Sequence, residues 1–173
     1  LQTLNYSLVL HEETETGGNA IAGFSTTGMV GVIAATHIIR TLELKHVGNV
    51  LDKGFPAMAL IHDQVPKHPV RIHADKEMGV FTAEIQFDPT HDIQFANTVF
   101  EWFSQSGYDR LFIIDGLVRQ DLTTTSSHLL SVGSTPMARK MLNSAEIDQI
   151  EHGVVTGIAG HILSEGGRLG FDV

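Results

Sequence analysis

The sequence predicts one α/β domain, built as strands and helices packed in layers. Three observations carry this. Strand-like and helix-like segments alternate, with short connections and no low-complexity linker. An apolar segment, Asn19 to Phe24, runs through a glycine-punctuated turn directly into a helix rich in Ala, Ile and Val. A second helix with an aromatic stripe is followed at once by the apolar run Arg110 to Asp115. The 173 residues suit one domain, which at this length buries roughly 70 % of the surface its unfolded chain exposes.

In chain order, Asn5 to Leu10 and Asn19 to Phe24 are expected strands. Met29 to Leu42 has few charges on any side, the pattern of a helix buried against a sheet. Val47 to Leu51, Ala57 to Ile61 and Val70 to His73 are short apolar runs, which Pro56, Pro66 and Pro69 confine to edges or turns. Val80 to Phe87 alternates apolar and polar residues as a strand does. Asp88-Pro89-Thr90 caps a second helix, in which Phe95, Val99, Trp102 and Phe103 fall at helical spacing before Gly107. That spacing marks a core stripe in preference to a cofactor-stacking surface. Arg110 to Asp115 is expected as a central strand ending at Gly116, and His128 to Val132 as another, with the polar run Gln120 to Ser127 between them. Gly153 to Gly167 reads as a glycine-rich helix whose first glycines, Gly153, Gly157 and Gly160, lie along one side.

Composition excludes several classes of function. The formal charge is −9, from 20 acidic and 11 basic residues, a sign that repels a phosphate backbone and argues against nucleic acid as a partner. There is no cysteine, so disulfides and thiolate metal sites are out and a reducing cytoplasm is allowed. Leu1 to Leu10 has neither a basic stretch nor a long apolar run, so no signal peptide is expected. No apolar stretch approaches the ~20 residues that cross a bilayer.

The residue pattern is poor in catalytic motifs. Gly23 and Gly28 have the GxxxxG spacing of a phosphate-binding loop, yet Met29 and Val30 stand where that loop needs Lys and Ser or Thr. The dinucleotide pattern GxGxxG fails as well, because position 25 is Ser. What is left is backbone geometry, since glycine permits positive φ and lets a helix start lie close to a sheet. An enzyme reading would use Gly23, Ser25 and Gly28 as anion donors, completed by Arg71 or Arg119, in a nucleoside or small-metabolite phosphorylase or hydrolase. Ser25, Thr26 and Thr27 form no GxSxG elbow, and His37 is expected as a core residue. His62, Asp63, His68 and His73 lie within twelve residues and are the weak candidates for a metal site, broken up by Pro66 and Pro69. No cofactor is expected.

Taken in order, Gly23-Phe24 through Gly28-Met29-Val30-Gly31, Phe55-Pro56 with the strand Ala57 to Asp63, Asp115-Gly116 after a strand, and Glu151-His152-Gly153 through Gly157 to Gly160 make the chain resemble the proteasome assembly chaperone 2 family, in its archaeal and bacterial branch. The resemblance spans roughly residues 18 to 173. It implies a three-layer αβα sandwich with a mixed sheet, of the phosphorylase/hydrolase kind, but without a catalytic centre. It also implies a cytoplasmic scaffold or assembly chaperone that binds other protein subunits, proteasome components among them, and forms a homo-oligomer, a trimer or larger. The chain departs from the family at Gly170 to Val173, where members continue into another strand and a terminal helix. Phe171-Asp172-Val173 keeps the apolar residue of a hydrophobic-Tyr-X docking tail but has Asp in place of Tyr.

Overall fold

A computed structural model describes residues 6–11, 17–86, 88–117 and 129–173. The strands β1 (Ser7–Leu10) and β2 (Asn19–Phe24) come first, and a 3-10 turn (Thr27–Met29) opens α1 (Val30–Thr41). Then follow β3 (Lys45–Leu51), a small hairpin of β4 (Leu60–His62) and β5 (Val65–Lys67), β6 (Val70–Ala74) and β7 (Met78–Ala83). A 3-10 turn (Pro89–His91) leads into α2 (Asp92–Gln105), and β8 (Arg110–Ile114), β9 (Leu130–Ser131), α3 (Pro136–Ser144), β10 (Asp148–Gln149) and α4 (Gly157–Leu169) complete the described chain.

The main sheet is mixed, in the order β1-β3-β6-β7-β2-β8. Its first three junctions are antiparallel, and β2 is parallel to both β7 and β8. Side chains alternate across each strand, so β2 divides between two layers. Ala20, Ala22 and Phe24 join the larger core, where Phe81 meets Phe95 and Trp102 with ring centroids 5.7 and 5.4 Å apart. That core is closed by α2 and by Ile158 and Ile162 of α4. Ile21 faces the other way, onto Ala35 of α1, Leu44 and Val80. Helices on both faces of one sheet make the three-layer αβα arrangement expected from the resemblance.

Several elements differ from their sequence reading, each for a physical reason. The Pro-flanked Val70 to His73 is interior strand β6, not an edge or turn, because Pro69 stands just ahead of it and needs only its carbonyl, which accepts from the Glu84 N–H at 2.8 Å. Of Ala57 to Asp63 only Leu60–His62 is strand, and it pairs with β5 outside the main sheet. β7 begins at Met78 and ends at Ala83, with neither face open to water. β8 is the last strand of the sheet instead of a central one, and reads as central because Leu111 packs into one core while Phe112 and Ile114 pack under α1.

Position 87 and the polar run Gln120 to Ser127 lie outside the described residues, as does His128. α4 starts at Gly157, leaving Gly153 in the preceding extended segment, so the three glycines do not share a helix side. α3 and β10 were not expected, although Thr135-Pro136 is a helix-start signature and the Thr135 hydroxyl accepts from the Ala138 N–H at 3.0 Å. The chain end is held firmly. Asp172 bridges to Arg110 on the outer side of β8, and Phe171 stacks against Phe100 and Phe103.

The depth of α1 is set by glycine. A methyl group on Gly23 would sit 2.8 Å from Cβ of Ala35 and 2.7 Å from the carbonyl carbon of Gly31, and one on Gly31 would sit 2.9 Å from the Phe24 nitrogen and closer still to the Ile114 carbonyl oxygen. None of these neighbours is a flexible side-chain end. Gly31→Ala is therefore expected to lower unfolding free energy by about 2 kcal/mol or more through overpacking, read as a shift of the urea midpoint at unchanged slope. Ala34→Gly, on the same helix, should cost only about 1 kcal/mol.

Candidate functional site

Because β3, β7, β2 and β8 run the same way, their C-terminal ends gather at one end of the sheet. In open α/β folds this is where ligands are bound. Here that end carries the glycine turn, residues 84–86, the loop and hairpin between β3 and β6, and Asp115-Gly116-Leu117.

The turn is bent by two consecutive left-handed residues, Gly28 at φ 65° and Met29 at φ 55°. Met29 occupies the cap position of α1 with no side-chain cap. The Ser25 N–H donates to the Ala83 carbonyl at 3.0 Å, stitching the turn to β7. Thr26 Oγ1 donates to the Asp115 carboxylate, whose same oxygen accepts from the Gly116 N–H at 2.7 Å. This clamp joins the end of β2 to the end of β8. Gly116 is needed because a side chain there would meet the Thr27 carbonyl and, at 3.2 Å, Cγ2 of Val30. Main chain thus lies close against main chain where α1, β2 and β8 meet, and a carboxylate stands beside the turn, where it would repel an anion.

The predicted anion partners do not converge on this turn. Arg71 lies on β6, two strands from β2, where its guanidinium donates to the Glu84 carboxylate and to the His68 carbonyl at 2.6 Å. Arg119 lies outside the described residues. His37, expected in the core, is exposed on α1 near the Thr41 hydroxyl.

The candidate metal ligands are dispersed as well. His62 pairs with Glu84 at 3.3 Å, His68 contributes its carbonyl to Arg71, and His73 stacks on His46 with ring centroids 5.2 Å apart. Among the described residues no group of three or more His, Asp or Glu is placed to hold a metal ion. Burial pushes the His73 imidazole down to about 3, with His46 and Arg71 adding repulsion, and its Nδ1 is buried without a hydrogen-bond partner.

Of the other positions singled out by the sequence, Phe55 packs on Tyr6 at 5.6 Å, while Pro56 and Glu151 are exposed. Gly153 is exposed in the segment before α4. Gly157 opens α4 at φ 69°, and Gly160 is approached by the Val155 carbonyl.

Residues to which the sequence reading gave no contact role face outward. A helix with few charges on any side implied burial all round, yet only one side of α1 is covered. Met29, Val30 and Ile33 are exposed, Ile33 to 63 %, and Leu117, which follows Gly116 against Val30, to 64 %. Exposed apolar residues gathered on one surface are a mark of protein contact. The signal for them was the apolar character of the outer helix positions.

The sequence profile of the PAC2 family matches residues 20–173. An uncharacterized protein of Methanocaldococcus jannaschii is 28% identical over 153 residues, which are 88% of this chain and 62% of that protein. The chain thus spans less than two thirds of that relative's length. Among solved structures, Pyrococcus furiosus PbaA, described as an archaeal homolog of proteasome-assembly chaperone, superposes with a TM-score of 0.87 at 24% identity, over 97% of this chain and 73% of its own. Pyrococcus furiosus PbaB, described as an archaeal proteasome activator, gives 0.78 at 19% identity, over 96% and 77%. A Thermoplasma acidophilum protein of unknown function gives 0.79 at 23%, over 90% and 64%. At these identities the likeness is one of fold.

The position of His73 makes stability pH-dependent. Its folded-state value of about 3 lies below the 6.5 of a free imidazole, so the unfolded chain binds the extra proton and folding is penalised in acid. No penalty applies above 6.5, and it grows as pH falls from there toward 3. Its slope is bounded at about 1.4 kcal/mol per pH unit for one proton. Urea titrations across this window should show the loss in the wild type and a shallower one in His73→Phe.

Proposed function

The chain belongs to the PAC2 family, and from that membership we propose that it is a non-catalytic scaffold or assembly chaperone, cytoplasmic and self-associating, whose αβα domain presents a surface to other protein subunits, proteasome components among them. The observation that carries this reading is the close seating of α1 beside the Thr26–Asp115 contact. At the sheet end where an α/β enzyme would seat a substrate, α1 lies backbone to backbone on β2 and β8, the Asp115 carboxylate stands beside the turn, and Met29, Val30, Ile33 and Leu117 turn outward. The likeness to PbaA, described as an archaeal homolog of proteasome-assembly chaperone, and to PbaB, described as an archaeal proteasome activator, supports proteasome particles as the partner class.

Binding is the whole activity on this reading, and the outward residues are its contact points. Apolar residues at the centre of an interface cost more than about 1 kcal/mol each when removed. The combined Ile33→Asp and Leu117→Asp variant should therefore weaken capture of proteasome subunits about tenfold or more while leaving the thermal midpoint within a few degrees. Native mass spectrometry of the wild type should show an oligomer of three or more copies. A strict monomer that leaves proteasome subunits in solution would contradict the proposal.

A further inference from the structure

α1 packs on β2, β7 and β8, and on the β1-β3-β6 side of the sheet the structure gathers imidazoles. His11, just past β1, and His46 on β3 have ring centroids 5.8 Å apart, and His46 is 5.2 Å from His73 on β6. Asn49 of β3, only 6% exposed, joins the first two. Its Oδ1 is 2.9 Å from His46 Nε2 and its Nδ2 is 2.9 Å from His11 Nε2. His46 Nε2 is also 3.0 Å from the Gly48 carbonyl oxygen.

Donor and acceptor chemistry allows one arrangement of protons here. A backbone carbonyl only accepts, so His46 Nε2 carries a hydrogen. That hydrogen fixes the amide with its oxygen toward His46 and its NH2 toward His11. An amide NH2 only donates, so His11 Nε2 must offer a lone pair and the His11 ring must be neutral. Turning the amide over gives no escape, since its NH2 would then face the His46 N–H. Once His11 is protonated, neither orientation satisfies both rings.

The rings beside His11 stand among cations. Lys67 of β5 acts on both His46 and His73, and Arg71 of β6 and His62 of β4 act on His73. Glu84, the partner of Arg71, is engaged by Arg71 and His62. Burial lowers the proton affinity of His46 too.

We propose that the His11–Asn49–His46 bridge is an acid-sensitive latch on the edge strand β1. At neutral pH it fastens the end of β1 to β3, beside the His11 N–H bond to the Val47 carbonyl at 2.7 Å. In acid the bridge opens and the strand loosens. β1 has little else to hold it. Among the described residues it is four residues long, pairs with β3 alone, and leaves Val9 and Leu10 exposed, with Leu8 packed on the core and Tyr6 just before it. Its release bares the N–H and C=O row of β3, a template for another strand.

Hydrogen exchange followed by mass spectrometry tests this, comparing about pH 8 with about pH 5.5, the span in which imidazoles change charge. Rates are corrected for intrinsic exchange, with peptides of β2 and β7 as internal reference. The wild type should lose about tenfold protection in β1 and along β3 at the lower pH, with the reference unchanged. In Asn49→Asp a carboxylate accepts from both ring N–H groups, so protection should hold or rise in acid. In His11→Gln, whose side-chain oxygen accepts without titrating, it should be flat. Equal wild-type protection of β1 at both pH values would overturn the latch. So would a loss shared with β2 and β7, or one that persists in both variants.

Discussion

The contact on which the rest of the structure depends is backbone against backbone, where α1 lies on β2 and β8. It exists because Gly23, Gly31 and Gly116 present no Cβ at three places where main chains meet. The chain pays for the approach with two residues in the left-handed region, one of them Met29 at φ 55°, a conformation that costs an ordinary residue about 1 kcal/mol or more. Seated this deep, α1 brings Ala35 onto Ile21 and Val80. The Thr26 to Asp115 clamp joins the ends of two parallel strands beside this contact.

The opposite face is governed by aromatic packing. Phe24, Phe81, Phe95, Trp102 and Phe103 are almost entirely buried there, and burying each such side chain stabilises the fold by roughly 2 to 3 kcal/mol. The final residues belong to this layer. Phe171 rests on Phe100 and Phe103, Ser134 and Val173 exchange backbone and side-chain hydrogen bonds at 2.9 Å, and the Thr135 hydroxyl donates to Asp172. Phe171-Asp172-Val173 is therefore part of the fold, not a free docking tail. The side of the sheet bearing the imidazoles is a third, polar environment, in which Asn49 is buried between two histidine rings.

Much of this was legible in the residues. Asn19 to Phe24 and the glycine turn read correctly because an apolar strand, a glycine pair and an apolar helix are all local signals. The Asp88 cap read correctly too, since the side chain binds the Thr90 N–H two residues on, at 2.9 Å. Strand order did not, because β6 and β8 have nearly the same apolar makeup while one is interior and the other at the edge. Proline misled for a related reason: Pro69 looks like a breaker until its carbonyl is seen to be what the neighbouring segment uses. Outward Ile33 and Leu117 were passed over because a sequence records that a residue is apolar and not which side of the helix a sheet will cover. The pairing of Thr26 with Asp115, 89 positions apart, has no local trace at all.

Amide chemical shifts test the central claim most directly. In a titration of the labelled protein with inorganic phosphate, ribose phosphate and nucleosides, the N–H signals of residues 25–31 should stay in place, because the Ser25, Thr26 and Met29 N–H groups are bonded to backbone carbonyls and the Asp115 carboxylate beside the turn repels anions. Saturable shifts confined to these amides, for any of the three ligand classes, would mean that the turn grips an anion and that its close packing is not what defines this protein.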